Sequence, residues 1–499
     1  MSTPAAGRRC GVLFHPTSLP HTPCCGSLGQ EAHRWLALLA AEGVGVWQVL
    51  PLAPSDGTGS PYNSPSSFAL NPWLLDAESL LSEAFISPEQ AAELPVGSHD
   101  RLDLDAAPRR AAALGAALCQ AWPEQDESRQ RAFRLWSRRQ RHWLDDHCRF
   151  MVLRRLHGGR PWWEWPGPMA RRHGRALRFL ARLHGDALLE EALLQWHLHR
   201  QWQALQHRAR QHGIALVGDL PFYVAHDSAD VWSHRPLFSL AFDGSLQEQS
   251  GVPPDYFSAT GQLWGTPVYR WWGHRLTGFR WWLRRLEHQL DLFDELRIDH
   301  FRALEAFWSV PGGAATAEGG RWCPSPGWAL LRALRRRRRS LPLIAEDLGV
   351  ITPEVERLRD HFGLPGMKIL QFAFDGNPDN PYLPANIHGS NWVVYTGTHD
   401  NATSRGWWES LDGEARWRLQ QAVGAAVTAP GWQLLELALA SPAGLALVPL
   451  QDLLELGDGA RFNTPGTASG NWCWRLQQPI ASLAGPLRGF GEMARRYGR

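Results

Sequence analysis

The chain has 499 residues, 44% of them hydrophobic and 20% charged, with a formal net charge of +2. That content supports a large packed core and excludes global disorder, and a charge so near balance excludes a protein whose main partner is nucleic acid. No apolar run reaches the ~18 residues of a membrane span, the best stretch near 434–450 being broken by Glu436, Pro442 and Gly444, and residues 1–9 lack the apolar core of a secretory signal, so no membrane partner and a cytoplasmic location are expected.

Eight short runs rich in Val, Ile, Leu and aromatics read as strands, at 11–16, 44–52, 214–222, 295–301, 342–349, 367–374, 391–397 and 445–453. Helical stretches separate many of them, which is the pattern of a parallel sheet. Such units predict an α/β fold, a (β/α)8 TIM barrel with inserted subdomains on the C-terminal face; the bare barrel needs roughly 250 residues. One catalytic unit over 1–499 is expected. The surplus falls in two gaps. Residues 76–212 are expected to form a mostly helical inserted subdomain, since 127–212 carries Arg, Leu, Trp and His at helical spacing. Residues 223–294, dense at first in Gly, Pro, Ser and aromatics, are expected to form a loop-rich insertion contributing to an active-site cleft. Both follow strands and so rise from the face where this fold builds its sites.

The single lysine, Lys368, follows Met367 and closes no glycine-rich phosphate loop, so a Walker-type nucleotide site is absent. The glycine-rich segment Asp56-Gly-Thr-Gly-Ser-Pro-Tyr-Asn-Ser64 lacks lysine and reads instead as a polar site loop carrying Ser60 and Tyr62. The seven cysteines are odd in number and contain no Cys-x-x-Cys pair, which points to free thiols in a reducing compartment. His197 and His199 stand two apart, on different faces of a helix, and make a poor metal pair. The run Arg335–Arg339 ends a predicted helix and reads as a solvated face near the negative end of its dipole.

Carboxylates gather at the C-terminal ends of predicted strands: Asp219, Asp299, Glu346 and Asp400. Each alone reads as a helix cap or turn residue; four in the same place on different strands read as a site. Alternation along a strand points Arg297 and Asp299 the same way, and Arg297 is expected to hold Asp299 ionised, as a nucleophile requires. Asp299 and Glu346 lie on consecutive strands, about 4.8 Å apart in a sheet. That suits the roughly 5–5.5 Å separation of a retaining glycosidase better than the wider inverting one. Asp400 is the candidate third carboxylate, stabilising positive charge on a sugar ring, and His300 and His399 flank the acids as hydroxyl donors. The 27 Trp against 7 Tyr also suit a sugar, whose apolar face stacks on aromatic rings. Trp264 is singled out with Tyr256 because their loop lies above the proposed site.

These motifs resemble glycoside hydrolase family 77, the amylomaltases or 4-α-glucanotransferases, over nearly the whole length. The resemblance rests on Gly11-Val-Leu-Phe-His-Pro-Thr-Ser-Leu-Pro20, Trp47-Gln-Val-Leu-Pro-Leu-Ala-Pro54, Ser60-Pro-Tyr-Asn-Ser64, Gly218-Asp-Leu-Pro-Phe-Tyr-Val224, Gly251-Val-Pro-Pro-Asp-Tyr-Phe257, Arg297-Ile-Asp-His-Phe-Arg302, Ile344-Ala-Glu-Asp-Leu-Gly349, Gly397-Thr-His-Asp-Asn401 and Arg461-Phe-Asn-Thr-Pro-Gly-Thr467. It implies Asp299 as nucleophile, Glu346 as general acid/base and Asp400 as transition-state stabiliser. It implies sugar contacts from Arg297, His300 and His399, an acidic strand-three position at Asp219, glucan-binding loops carrying Tyr62, Asp255, Tyr256 and Trp264, and Asn463 near the acceptor end. It implies a cofactor-free enzyme acting on α-1,4-glucans (maltose, maltodextrins, glycogen or starch). Two places depart from the pattern. Cys24-Cys-Gly-Ser-Leu-Gly29 lacks the family's usual aromatic residue and acid, and Phe462 stands for the more usual Met. Transfer to a second glucan is the leading activity. Hydrolysis on the same barrel is the alternative, since the same carboxylates serve both. A non-catalytic glucan-binding protein would have lost one or more of the three acids, and all are present.

Overall fold

The predicted apolar runs are realised as eight parallel strands in a computed structural model of the chain, which describes residues 7–254, 259–467 and 469–499. They are β1 (Arg9–Leu13), β2 (Val46–Gln48), β3 (Ala215–Leu220), β4 (Glu295–Ile298), β5 (Leu343–Ala345), β6 (Gly366–Ile369), β7 (Trp392–Tyr395) and β8 (Leu445–Pro449). They pair in chain order, and β8 pairs back onto β1. Between β5 and β6 the ring is joined by a 2.8 Å bond from the Ala345 N–H to the Pro365 carbonyl. The fold is the expected (β/α)8 barrel. Every strand stops short of its predicted C-terminal end, because there the backbone leaves the ladder to aim side chains. At His300, for instance, it turns left-handed, with φ +52°.

Side chains alternate between the barrel interior and the surrounding helices. Val46, Val217, Ile344, Ile369, Val393, Tyr395 and Leu447 form a separate inner core. On β4 the interior positions are Glu295, Arg297 and then Asp299. Glu295 pairs with Arg9 at the lower end, so a ladder of charge climbs one strand to the barrel mouth. The outer shell includes helices Gln30–Ala41, Gly185–Gln211, Arg280–Leu292, Gly327–Arg337, Pro353–His361, Pro430–Ala440 and Ala484–Arg496. Between β6 and β7 the chain makes two 3-10 turns, Leu370–Phe372 and Pro384–Asn386. Tryptophan supplies much of the shell. Trp47 of β2 and Trp202 pack with ring centroids 6.4 Å apart, and Trp202 Nε1 donates to the Leu292 carbonyl at 2.9 Å. Satisfying the indole N–H is what lets so large a ring be buried without penalty.

Between β2 and β3 the long helices are Ala106–Ala121, Glu127–Leu156 and Gly185–Gln211, and the last of these is also the barrel helix that packs on β3. Residues 223–294 are less loop-like than the sequence reading: they hold strands Glu248–Val252 and Gln262–Pro267 as well as helix Arg280–Leu292. Those strands join Ala306–Pro311 and Arg321–Pro324, from beyond β4, in a four-stranded antiparallel sheet. The departing loop at Cys24 is tied down by bonds from Cys24 N–H to Ser98 C=O and Asp103 N–H to Cys24 C=O. Phe462 packs with Leu13, Leu50 and Trp472. All seven cysteines are unpaired. Among the described residues no helix is long and apolar enough to cross a membrane.

Candidate active site

The parallel register of β3 and β4 sets Asp219 beside Arg297. Residues level in a parallel pair point to the same side, so both enter the barrel. Arg297 Nη1 donates to Asp219 Oδ1 and Oδ2 at 2.8 and 2.7 Å, and its Nη2 meets Asp299 Oδ1 at 2.9 Å. Tyr62 donates its hydroxyl to Asp219 Oδ2 at 2.6 Å. A Cβ on Gly218 would run into the Phe293 ring, so glycine is what allows β3 to approach its helix here and hold Asp219 level. The Asp219 side chain is 0% exposed and that of Asp299 is 31% exposed. Asp219 is an enclosed counter-ion that positions Arg297 and Tyr62, while Asp299 is the carboxylate that opens to the cleft.

Glu346 is clasped to the end of β4 by its own backbone. Its N–H donates to Ile298 C=O at 3.1 Å, and its C=O accepts from Phe301 N–H at 3.0 Å. Its carboxylate accepts from His300 N–H at 2.6 Å and Leu348 N–H at 3.1 Å. The left-handed turn at His300 is what presents that N–H. Burial is the dominant influence on both acids. It pushes Glu346 up to about 8, with Arg297 pulling down and the Asp299 charge pushing up. It pushes Asp299 up to about 6 against the pull of Arg297, with Asp219 and Asp400 adding to the rise. Arg297 opposes the effect of burial on Asp299, which is ionised at neutral pH while Glu346 keeps its proton. Environments that separate two carboxyls in this way yield one anion and one acid.

Asp400 lies on the opposite wall. Its Oδ1 accepts from Asn463 Nδ2 at 2.6 Å, its Oδ2 lies 3.3 Å from His399 Nε2, and its backbone carbonyl accepts from Arg461 Nη2 at 2.7 Å. His399 stacks on Tyr62 at 5.2 Å and 13°, and Trp472 packs against both rings. Tyr62 thus links the Asp219 side of the site to the Asp400 side. Beyond Asp299, Trp264 is 37% exposed, stands edge-on to His300 at 4.9 Å, and lies 5.9 Å from Tyr223. Burial lowers His300 to about 4, so its ring is neutral. The buried His300 Nε2 and Tyr223 hydroxyl have no hydrogen-bond partner among the described residues. Ser60 Oγ accepts from Tyr62 N–H at 3.3 Å and shapes the loop. Asp255 and Tyr256 lie outside the described residues.

The structure also brings in Tyr223, Arg461 and Trp472, which carried no role in the sequence reading. Tyr223 and Arg461 stand inside motifs already conspicuous, Gly218–Val224 and Arg461–Thr467. Trp472 stands in none and is placed only by the fold.

The family model for 4-alpha-glucanotransferases, glycoside hydrolase family 77, matches residues 14–481. The chain belongs to this family. It is 44% identical over 504 residues to a 4-alpha-glucanotransferase of Synechocystis sp., covering 99% of this chain and 98% of the relative. It is 45% identical over 482 residues to one of Thermus thermophilus, covering 94% and 95%. Among solved structures, an amylomaltase from Streptococcus agalactiae in complex with acarbose superposes with a TM-score of 0.94 at 32% identity, covering 99% of both chains. An amylomaltase from Corynebacterium glutamicum, at 19% identity and a TM-score of 0.79 over 98% of this chain and 75% of that one, shares the fold. Family 77 membership makes glucan transfer the activity of this chain, and the hydrolase alternative is not favoured.

Proposed function

We propose that the chain transfers α-1,4-glucan segments by double displacement, with Asp299 as nucleophile and Glu346 as general acid and then base. The observation that carries this reading is the pair of unequal carboxyls: Asp299 anionic on the Arg297 guanidinium, and Glu346 protonated and pinned by two backbone N–H groups. In the first step Asp299 Oδ attacks the anomeric carbon while Glu346 gives its proton to the glycosidic oxygen. The reducing-end piece leaves, and the sugar is held as an ester of Asp299. Forming that ester removes the Asp299 charge, one cause of the raised Glu346 pKa. The Glu346 carboxylate then takes the proton of an acceptor's 4-hydroxyl, that oxygen attacks the anomeric carbon, and the bond to Asp299 breaks. A new α-1,4 bond is formed and both acids return to their starting states.

Asp400, oriented by Asn463 and His399, faces the charge that develops on the sugar ring. Arg297, Tyr62 and Asp219 fix the nucleophile. His300, Tyr223 and Trp264 offer a hydroxyl-binding and stacking wall. The substrates in this reading are maltose, maltodextrins, glycogen or starch, and no cofactor takes part. One catalytic unit over 1–499 carries the site, with 76–212 as a helical subdomain and 223–294 walling the cleft. The unpaired cysteines support a cytoplasmic location.

Pure maltotriose tests the reading. Glucose together with a ladder of longer maltodextrins, at constant total reducing ends, is the expected product pattern. A steady rise in reducing ends with only shorter products would mean that water replaces the acceptor.

A further inference from the structure

Away from the barrel mouth, two hollows adjoin beside helix Arg280–Leu292. One is a cavity of about 200 Å³ whose aromatic lining is Phe68, Trp143 and Trp281. The other is an open groove of about 770 Å³ lined by Trp136, His199 and several arginines. His142 and Arg284 line both, so the two lie side by side. The groove has the size of a small-molecule site, about 300–1,000 Å³. Each hollow is lined by a side chain that is 4% exposed and carries a polar atom without a hydrogen-bond partner among the described residues. In the cavity it is the Trp281 Nε1–H, a donor. In the groove it is His199, whose Nδ1 bonds the Gln195 carbonyl at 2.8 Å. Nδ1 therefore carries the proton, and Nε2 is left as an acceptor. One open donor and one open acceptor among indole rings suit the hydroxyls and apolar face of a pyranose.

The charge around them points further. The acids that line the hollows are largely occupied: Asp146 by Arg149 and Arg172, Glu287 by Arg337 and Asp291 by Arg338, while Asp230 accepts two bonds from Ser67. The run Arg335–Arg339, expected to be a solvated face, is thus partly spent on neutralising this rim. Arg138, Arg139, Arg280 and Arg284 also line the hollows, and among the described residues none of them pairs with a carboxylate. Unpaired guanidinium forks match the oxygens of a phosphate.

We propose that these adjoining hollows bind a phosphorylated glucose unit, with the ring in the aromatic cavity and the phosphate on the arginines. The unit could arrive as a free hexose phosphate or as a phosphate-bearing residue of a glucan, since both present the same chemistry.

Titration calorimetry of the full chain with glucose 6-phosphate at low salt tests this. One site is expected. The double variant Arg280→Ala/Arg284→Ala, both residues being exposed, should weaken it about tenfold or more, the scale of lost charge-assisted bonds, while its maltotriose turnover stays at the parent level. Trp281→Phe, which keeps a ring and loses the N–H, should weaken it several-fold. Maltose alone and inorganic phosphate alone should each bind at least about tenfold more weakly than the joined ligand. Absence of binding, indifference to the arginine pair, or either half-ligand matching the whole would overturn the proposal. A second arm compares maltotriose carrying one phosphate with glucose 6-phosphate, and the tighter of the two identifies the source.

Discussion

Replacing Arg297 by Gln isolates what the buried guanidinium contributes. Its two nitrogens hold Asp219 at 2.7 and 2.8 Å and Asp299 at 2.9 Å. Without it Asp219 keeps only the Tyr62 bond among its side-chain partners, and Asp299 has no counter-ion beside it. An opposite charge at contact lowers a carboxyl's pKa by about 1–3. Its removal should carry Asp299 from about 6 to between about 7 and 9. At pH 7 the ionised nucleophile then falls from about nine-tenths to between about one half and one hundredth. Lost positioning adds to this, so kcat/KM should fall by about 10²–10³. Breaking a buried pair also costs about 3–5 kcal/mol, visible as a lowered Tm. The decisive assay is the pH profile of kcat/KM for glucose release from maltotriose. In the parent the acid limb is expected near 6, and in Arg297→Gln it should move to about 7 or above. Arg297→Lys keeps the charge but cannot span two carboxylates as a fork, so its limb should stay near the parent's while kcat drops. An acid limb left unmoved in Arg297→Gln would refute the electrostatic argument.

The parent profile should be a bell: activity falls below about 6 as Asp299 takes a proton and above about 8 as Glu346 loses one. An alkaline limb indifferent to Glu346→Gln would separate that limb from Glu346. The same Gln variant should lose maltotriose turnover yet still react with α-maltosyl fluoride, whose leaving group needs no proton, and mass spectrometry should find the sugar on the peptide holding Asp299. Asn463→Ala removes a 2.6 Å bond to Asp400 and should lower kcat/KM by about 10–100-fold, the value of a hydrogen bond to a charged group, with little change in Tm. Trp264→Ala should raise KM about 2–10-fold through lost stacking and leave the pH limbs in place.

Strand count and the acids at the strand ends were legible because short apolar runs and the carboxylates that close them are local signals. Arg297 and Asp299 follow from alternation along one strand. The role of Asp219 does not. Its solvent-free position depends on the register of β3 against β4 and on Tyr62 arriving from a loop 157 residues away in sequence. The strand ends misled for a related reason. Glu346 has the apolar flanks of a strand and its backbone still bonds to the end of β4, yet regular pairing stops at Ala345, because the neighbouring chain turns left-handed at His300. The helical stretch 185–211 shows a second role only in the fold, because one amphipathic pattern describes both an inserted helix and a barrel helix, and its contact with β3 is what reveals the latter.

Net charge on the site was the least legible feature, and it decides the chemistry. Sequence spacing supplies a cation beside an anion and suggests an ordinary ionised carboxylate. The fold instead brings Asp219, Asp299, Glu346 and Asp400 to one mouth, with the Arg297 guanidinium bonded to two of them. One positive charge cannot serve four carboxyls equally. Arg297 is bonded to Asp219 and Asp299, Asp400 has Asn463 and His399 as side-chain partners, and Glu346 has backbone N–H groups. Backbone amides stabilise an anion less than a full charge at contact does, so Glu346 is the group that keeps a proton. The split between nucleophile and acid is therefore set by burial, which raises both, and by contact with the arginine fork, which Asp299 has and Glu346 lacks; that contact follows from the register of the barrel rather than from residue type.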